Sequence, residues 1–88
     1  MKAKVKYQEV DYIQYDGTNK EEIEEFISQH CAAYEESINK QIIPFLCFRI
    51  DNVNVQVYRG QYIVKADDKV ITILWSDDFF RLFEPVND

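Results

Sequence analysis

The sequence predicts an α+β fold: a small antiparallel sheet of four to six strands, one amphipathic helix in the N-terminal half and a short helix near the C-terminus. Three observations carry that prediction. Apolar and polar residues alternate through several runs, the period-two mark of half-buried strands. One stretch, "TNKEEIEEFI", opens with a helix-start signal and keeps a helical apolar period. The turns between runs are built mostly from Asp and Asn, because the chain has only two Gly and two Pro. Its 88 residues suit a single domain, 1–88.

Taken in order, residues Ala3 to Tyr15 read as strand. Ala3, Val5 and Tyr7 alternate with lysines, and then Val10 and Tyr12 take over the apolar face. A change of phase without a break implies a bulge near Gln8–Glu9 or two short strands. "YDGTN" is a turn. Thr18 stands three residues before Glu21, the spacing of a capping box, and Glu21 and Glu22 complement the helix dipole. Ile23, Phe26 and Ile27 form the buried stripe of a helix from about Asn19 to Gln29. "CAAYEES", within residues 31–38, fits either a continued helix or a short edge strand, with the helix expected to end near His30.

The apolar run "QIIPFLCFRI" reads as a central strand whose early part Pro44 restricts to an edge or bulge. "DN" turns the chain, and Val53, Val55 and Val57 alternate as a further strand. Arg59–Gly60 breaks that run. "QYIVKA" and "VITILW" are strands on either side of a "DDK" turn. Ser76 is a suitable N-cap for the last helix, with Asp77 and Asp78 in its first turn and Phe79, Leu82 and Phe83 facing inward. Pro85 follows close behind.

Composition narrows the function classes. A domain this small buries only about 60–65% of the surface its unfolded chain exposes. Six Phe, six Tyr and one Trp supply bulk for so limited a core. Sixteen acids against ten bases give a net charge of −6, which disfavours direct nucleic-acid binding and docking on anionic membranes. An acidic face meeting a basic partner is permitted. No apolar run approaches the roughly 18 residues of a membrane span, and "MKAKVKYQEV" lacks the apolar core of a signal peptide. Cys31 and Cys47 sit among apolar neighbours and read as reduced thiols of a cytoplasmic protein.

Four segments resemble a group of short hypothetical proteins from phages and prophages of bacteria: "VDYIQYDG" (Val10–Gly17), "EEIEEFI" (Glu21–Ile27), "RGQYIVKA" (Arg59–Ala66) and "DFFRLFEPV" (Asp78–Val86). The resemblance covers about half the chain, and residues 30–52 match poorly. The group often carries a Pro-Cys-Lys-Pro run before its last helix, where this chain reads Ile73, Leu74, Trp75 and Ser76. The shared motifs are a turn glycine, a strand and an aromatic-faced helix. They imply provenance and fold, place the protein in a bacterial host cytoplasm, and bring no chemistry.

The residues themselves supply no catalytic site. His30 and Cys31 are adjacent, so on a helix their side chains diverge by about 100°. Two Cys and one His do not have the spacing of a zinc site, and "DNVN", "ADDK" and "SDD" are too short for calcium. There is no phosphate-binding glycine loop. The expectation is therefore a non-enzymatic accessory protein with no cofactor and no metal, acting by binding a host or phage protein. Glu21, Glu22, Glu24, Glu25, Tyr58 and Trp75 are the candidate partner-binding residues, and an exposed strand edge allows a homodimer.

Two other functions compete with that one. The first is an acidic inhibitor that imitates nucleic acid, using Glu21, Glu22, Glu24, Glu25, Glu35 and Glu36, extended by Asp67, Asp68, Asp77 and Asp78. The second is a stacking platform of Tyr58, Tyr62 and Trp75 for a ligand or nucleic acid.

Overall fold

The computed structural model describes residues 2–5 and 8–85, with side chains from Val10 to Phe83. Along the chain run β1 (Lys2–Val5), β2 (Gln8–Gln14), α1 (Lys20–Ile27), β3 (Ala32–Ile38), β4 (Gln41–Ile50), β5 (Val53–Tyr58), β6 (Tyr62–Ala66), β7 (Lys69–Leu74), α2 (Ser76–Leu82) and β8 (Glu84–Pro85). The fold is α+β with antiparallel strand pairing and two helices, as the period analysis implies. It departs from the expected single sheet: the described strands form a five-stranded sheet, β7-β6-β2-β1-β8, and a three-stranded sheet, β3-β4-β5. The early change of phase is two strands, with Val5 of β1 opposite Gln8 of β2. Within residues 31–38, Ala32–Ile38 form an edge strand rather than a helix.

Among the described loops, three hairpins turn on two residues without glycine. Asn39–Lys40, Asp51–Asn52 and Asp67–Asp68 all have positive φ, between 50° and 67°. That pair of left-handed residues is the type I′ arrangement, whose twist matches the flanking strands. Asn and Asp tolerate it best among residues with a side chain.

The chain passes between the sheets at Tyr58–Gln61. The Gln61 N–H donates to Tyr58 O (3.0 Å) around Arg59 and Gly60, and Gly60 has φ +99°, the glycine position of a type II turn. The turn is docked on the end of β2: Gly60 N–H donates to Tyr15 O (2.7 Å) and Tyr15 N–H to Gln61 O (3.0 Å). This turn also explains Pro44, which lies inside β4 between two neighbours. Its carbonyl accepts Arg59 N–H (3.3 Å), one position beyond the last β5 pair, so the donor that proline lacks falls where the ladder has already ended.

The five-stranded sheet has a core on each face. Ile63 joins Tyr15, Ile23, Cys31, Leu46, Phe48 and Val57 between the two sheets and α1. On the other face Val10, Tyr62, Val64, Phe79 and Phe83 pack under α2. Successive residues of β6 therefore point into different cores, which is why the run Tyr62–Val64 is buried throughout.

Both expected helix caps differ in detail. α1 begins after Asn19, without a side-chain cap bond. The Thr18 hydroxyl and N–H instead both donate to Asp16 Oδ1 at 2.7 Å, a charged acceptor already in place in the preceding turn. Asn19 holds that turn too, accepting Asp16 N–H (3.0 Å) and donating to Gln14 O (2.9 Å). The helix ends at Ile27 because Ser28 is left-handed (φ 61°). α2 begins at Ser76 after Trp75, again with no side-chain cap bond. Leu82, expected inside, is 49% exposed, since Phe79 and Phe83 fill the inner face of this two-turn helix.

Candidate aromatic interaction face

The two I′ loops of the β3-β4-β5 meander fix its register, and that register assembles a row of rings. Tyr34 pairs with Phe45 across the first hairpin, and Phe45 with Tyr58 across the second. Their ring centroids are 5.5 Å and 5.1 Å apart. Trp75, arriving from the end of β7, stacks on Tyr58 at 6.5 Å with the planes 21° apart. The result is a continuous row Tyr34–Phe45–Tyr58–Trp75, contributed by four separate segments. It lies on the face opposite the core, because the intervening Leu46 and Val57 point inward and are fully buried. The two end rings are open to solvent, Tyr34 at 53% and Trp75 at 51%. Gly60 adjoins the Trp75 end of the row: a Cβ there would meet the indole at an ordinary contact distance of 3.6 Å, and it is the positive φ that disfavours a side chain.

Beside the row lies an open groove of about 780 Å³ whose lining includes Tyr34, Phe45, Cys47, Arg49, Asn54 and Gln56. Its polar groups are the amides of Gln29, Asn54 and Gln56, the His30 imidazole, the Tyr34 hydroxyl and the Arg49 guanidinium. Arg49 Nη2 donates to Asn52 O (3.2 Å), and among the described residues no carboxylate lies within ion-pair distance of it. The Tyr58 hydroxyl lies 3.2 Å from Glu36 Oε2 and 3.1 Å from Gln56 Oε1. Partial burial, then the Glu36 carboxylate, raise the Tyr58 phenol above its ordinary pKa, so it is a neutral hydrogen-bond donor near pH 7. A surface of half-exposed rings, side-chain amides and an arginine matches the composition enriched at protein–protein contacts.

The candidate acids have separate placements. Glu21, Glu22 and Glu25 are exposed on α1. Glu24 is a structural staple: its Oε2 accepts Cys31 N–H (2.9 Å) and lies 3.3 Å from His30 Nδ1 and 3.7 Å from Lys20 Nζ. The Cys31 N–H is the main reason the Glu24 carboxyl titrates below its ordinary value, with His30 and Lys20 adding to it. Glu35 and Glu36 are neighbours on β3 and point to opposite faces. Asp67 and Asp68 form a hairpin loop, and Asp78 accepts from Arg81 (2.7 Å) one turn along α2.

His30 and the two cysteines do not converge. His30 is exposed, whereas Cys31 lies in the core. Burial, then the Glu24 charge, push the Cys31 thiol up, so it stays protonated at neutral pH. Cys47 pairs with Ala32, the residue after Cys31, and therefore faces the groove rather than Cys31. Among the described residues no group of three or more His, Cys, Asp or Glu could hold a metal ion.

Of the expected aromatic platform, Tyr58 and Trp75 are in the row, and Tyr62 is not. Tyr62 is buried against Phe79, with centroids 4.3 Å apart and planes 6° from parallel. Tyr34 and Phe45 were missed by the period reading. Each is equidistant with its partner from a two-residue loop, so the row becomes legible once Asn39–Lys40 is recognised as a hairpin turn. Among the described residues no helix is long and apolar enough to cross a membrane. No family model, curated protein or solved structure is detectably similar to the chain.

Proposed function

We propose that this is a small phage- or prophage-encoded accessory protein that acts in the host cytoplasm by binding a protein partner, without catalysis. The contact surface is the row Tyr34–Phe45–Tyr58–Trp75 with its groove. The observation that supports this reading is that four rings from four separate segments form one ordered stack on the face away from the core, with both end rings half-exposed. Ordered aromatic side chains are the commonest anchors of such contacts, because they lose little conformational freedom on binding. Arg49, in the groove without an acidic neighbour among the described residues, favours a partner segment that brings a carboxylate or a carbonyl to it.

The test is capture from bacterial lysate on immobilised full-length protein, compared with Tyr34→Ser/Trp75→Ser. A partner retained by the wild type and lost by the variant supports the surface. A variant that retains the same partners at the same yield overturns it.

The competing nucleic-acid-mimic reading rests on the exposed Glu21, Glu22 and Glu25 of α1. Against it stand Glu35 and Glu36 on opposite faces of β3, and Glu24 engaged by Cys31. Charge reversal at Glu21, Glu22 and Glu25 abolishes capture under that reading and leaves it intact under ours.

A further inference from the structure

The aromatic row stops at a strand edge that has no neighbour among the described strands. β3 is the outermost strand of its sheet and is exposed along its whole length. Pro44 shows which of its main-chain groups are free. The Pro44 carbonyl points toward β5, where it accepts Arg59 N–H, so the Glu35–Pro44 pair is of the non-hydrogen-bonded kind. The N–H and C=O of Glu35 therefore point away from β4, and by alternation so do those of Ala33 and Ser37. These groups form an open template for another extended strand.

From these features we infer that β3 pairs antiparallel with β3 of a second copy of this chain, about a two-fold axis at Tyr34. Axes at Ala33 or Ser37 would overlap only three residues of each β3, so the register lies among Tyr34, Glu35 and Glu36, and the charges choose between them. The strand reads Ala32, Ala33, Tyr34, Glu35, Glu36. An axis at Glu35 or at Glu36 would set that glutamate directly against its own copy, and like charges directly opposite are destabilising. With the axis at Tyr34, Glu35 meets Ala33 and Glu36 meets Ala32.

The charges then complement across the junction. Lys20, 3.7 Å from Glu24 of its own chain, lines the same groove as Ala33 and Glu35 on the α1 side of the sheet, so Glu35 of each copy, set opposite Ala33, adds a carboxylate beside Lys20 of the other. On the aromatic side Ala32 lines the groove that holds Arg49, and Glu36 arrives there. Tyr34 opposes Tyr34 in a non-hydrogen-bonded pair, the spacing at which cross-strand side chains are closest. The two meanders become one six-stranded sheet, and the two aromatic rows become a single row of eight rings with Trp75 at both ends. This pairing does not depend on what the aromatic face binds.

Three measurements test it. Light-scattering mass of the full chain should rise from 10.5 kDa toward twice that over a series reaching about 1 mM, as expected for a small contact. A mass that stays at the monomer value throughout overturns the inference.

In a Cys47→Ser background, Tyr34→Cys should form a disulfide-linked dimer on mild oxidation, since directly opposed Cβ atoms lie about 4.5–5.5 Å apart. Glu35→Cys in the same background should not, and equal cross-linking of the two contradicts the register. Glu35→Lys and Lys20→Glu should each weaken the dimer about fivefold, and the two together should restore it. If the double variant is as weak as the singles combined, the register is wrong.

Discussion

Replacing Phe79 with alanine should remove much of the stability of the whole domain. Phe79 is fully buried under α2 and touches Tyr62, Tyr12 and Phe83 at centroid separations of 4.3, 4.8 and 5.3 Å. A buried phenylalanine removes about 150–250 Å² from water, which at about 25 cal/mol per Å² is worth about 4–6 kcal/mol before the alanine remainder is subtracted. Measured Phe→Ala substitutions in cores cost about 3–5 kcal/mol, cavity included. The total stability expected of a chain this size is about 4–13 kcal/mol.

Urea unfolding followed by circular dichroism is the assay, with equal m values required before midpoints are compared. In thermal terms the loss is about 12–40 °C, at about 4–8 °C per kcal/mol for so small a domain. Phe80→Ala is the internal control: the same ring, one residue on, is 55% exposed and should cost less than about 1 kcal/mol. A Phe79→Ala loss below about 1 kcal/mol, or a Phe80→Ala loss equal to it, would refute the placement of the second core.

Four further outcomes follow from the geometry. Gly60→Ala forces a side chain onto φ +99° and should cost about 1 kcal/mol or more in urea unfolding, with the Tyr15 junction weakened first. Asp68→Gly relieves a left-handed residue in the β6–β7 loop and should raise the thermal midpoint by about 2–8 °C. Because the folded pKa of Glu24 lies below its ordinary 4.5, its contribution is full above that value and is lost as pH falls below it; Glu24→Gln should flatten this limb of an acid titration of stability. Trp75, half-exposed, should be quenched by acrylamide yet be unchanged by single-stranded oligonucleotide at moderate salt, given the net charge of −6.

The parts of the fold that depend on local physics were legible in the sequence. The alternation of Val53, Val55 and Val57 marked β5, the stripe Ile23–Phe26–Ile27 marked α1, and the Asp51–Asn52 and Asp67–Asp68 turns were visible as turn chemistry. What could not be read was choice among distant partners. β2 pairs with β6, about fifty residues later in the chain, and nothing in either strand's pattern names the other. That choice divides the strands into two sheets.

The capping box failed because Asp16, two residues before Thr18, competes for the same groups with a full charge. Residues 31–38 were ambiguous because the strand within them, Ala32–Ile38, is exposed throughout and has no buried face to impose a period. For the same reason Tyr34 escaped notice: an exposed ring on an edge strand carries no signal until the hairpin register sets it beside Phe45.

The central claim is that the four-ring row is a binding surface rather than leftover core. Its most direct test is the dissociation constant of the captured partner for wild type and for Tyr34→Ser/Trp75→Ser, both with matched unfolding midpoints. The account predicts a rise of at least about thirtyfold, the loss of about 2 kcal/mol expected when anchoring aromatics are truncated. A constant within twofold of the wild type contradicts it.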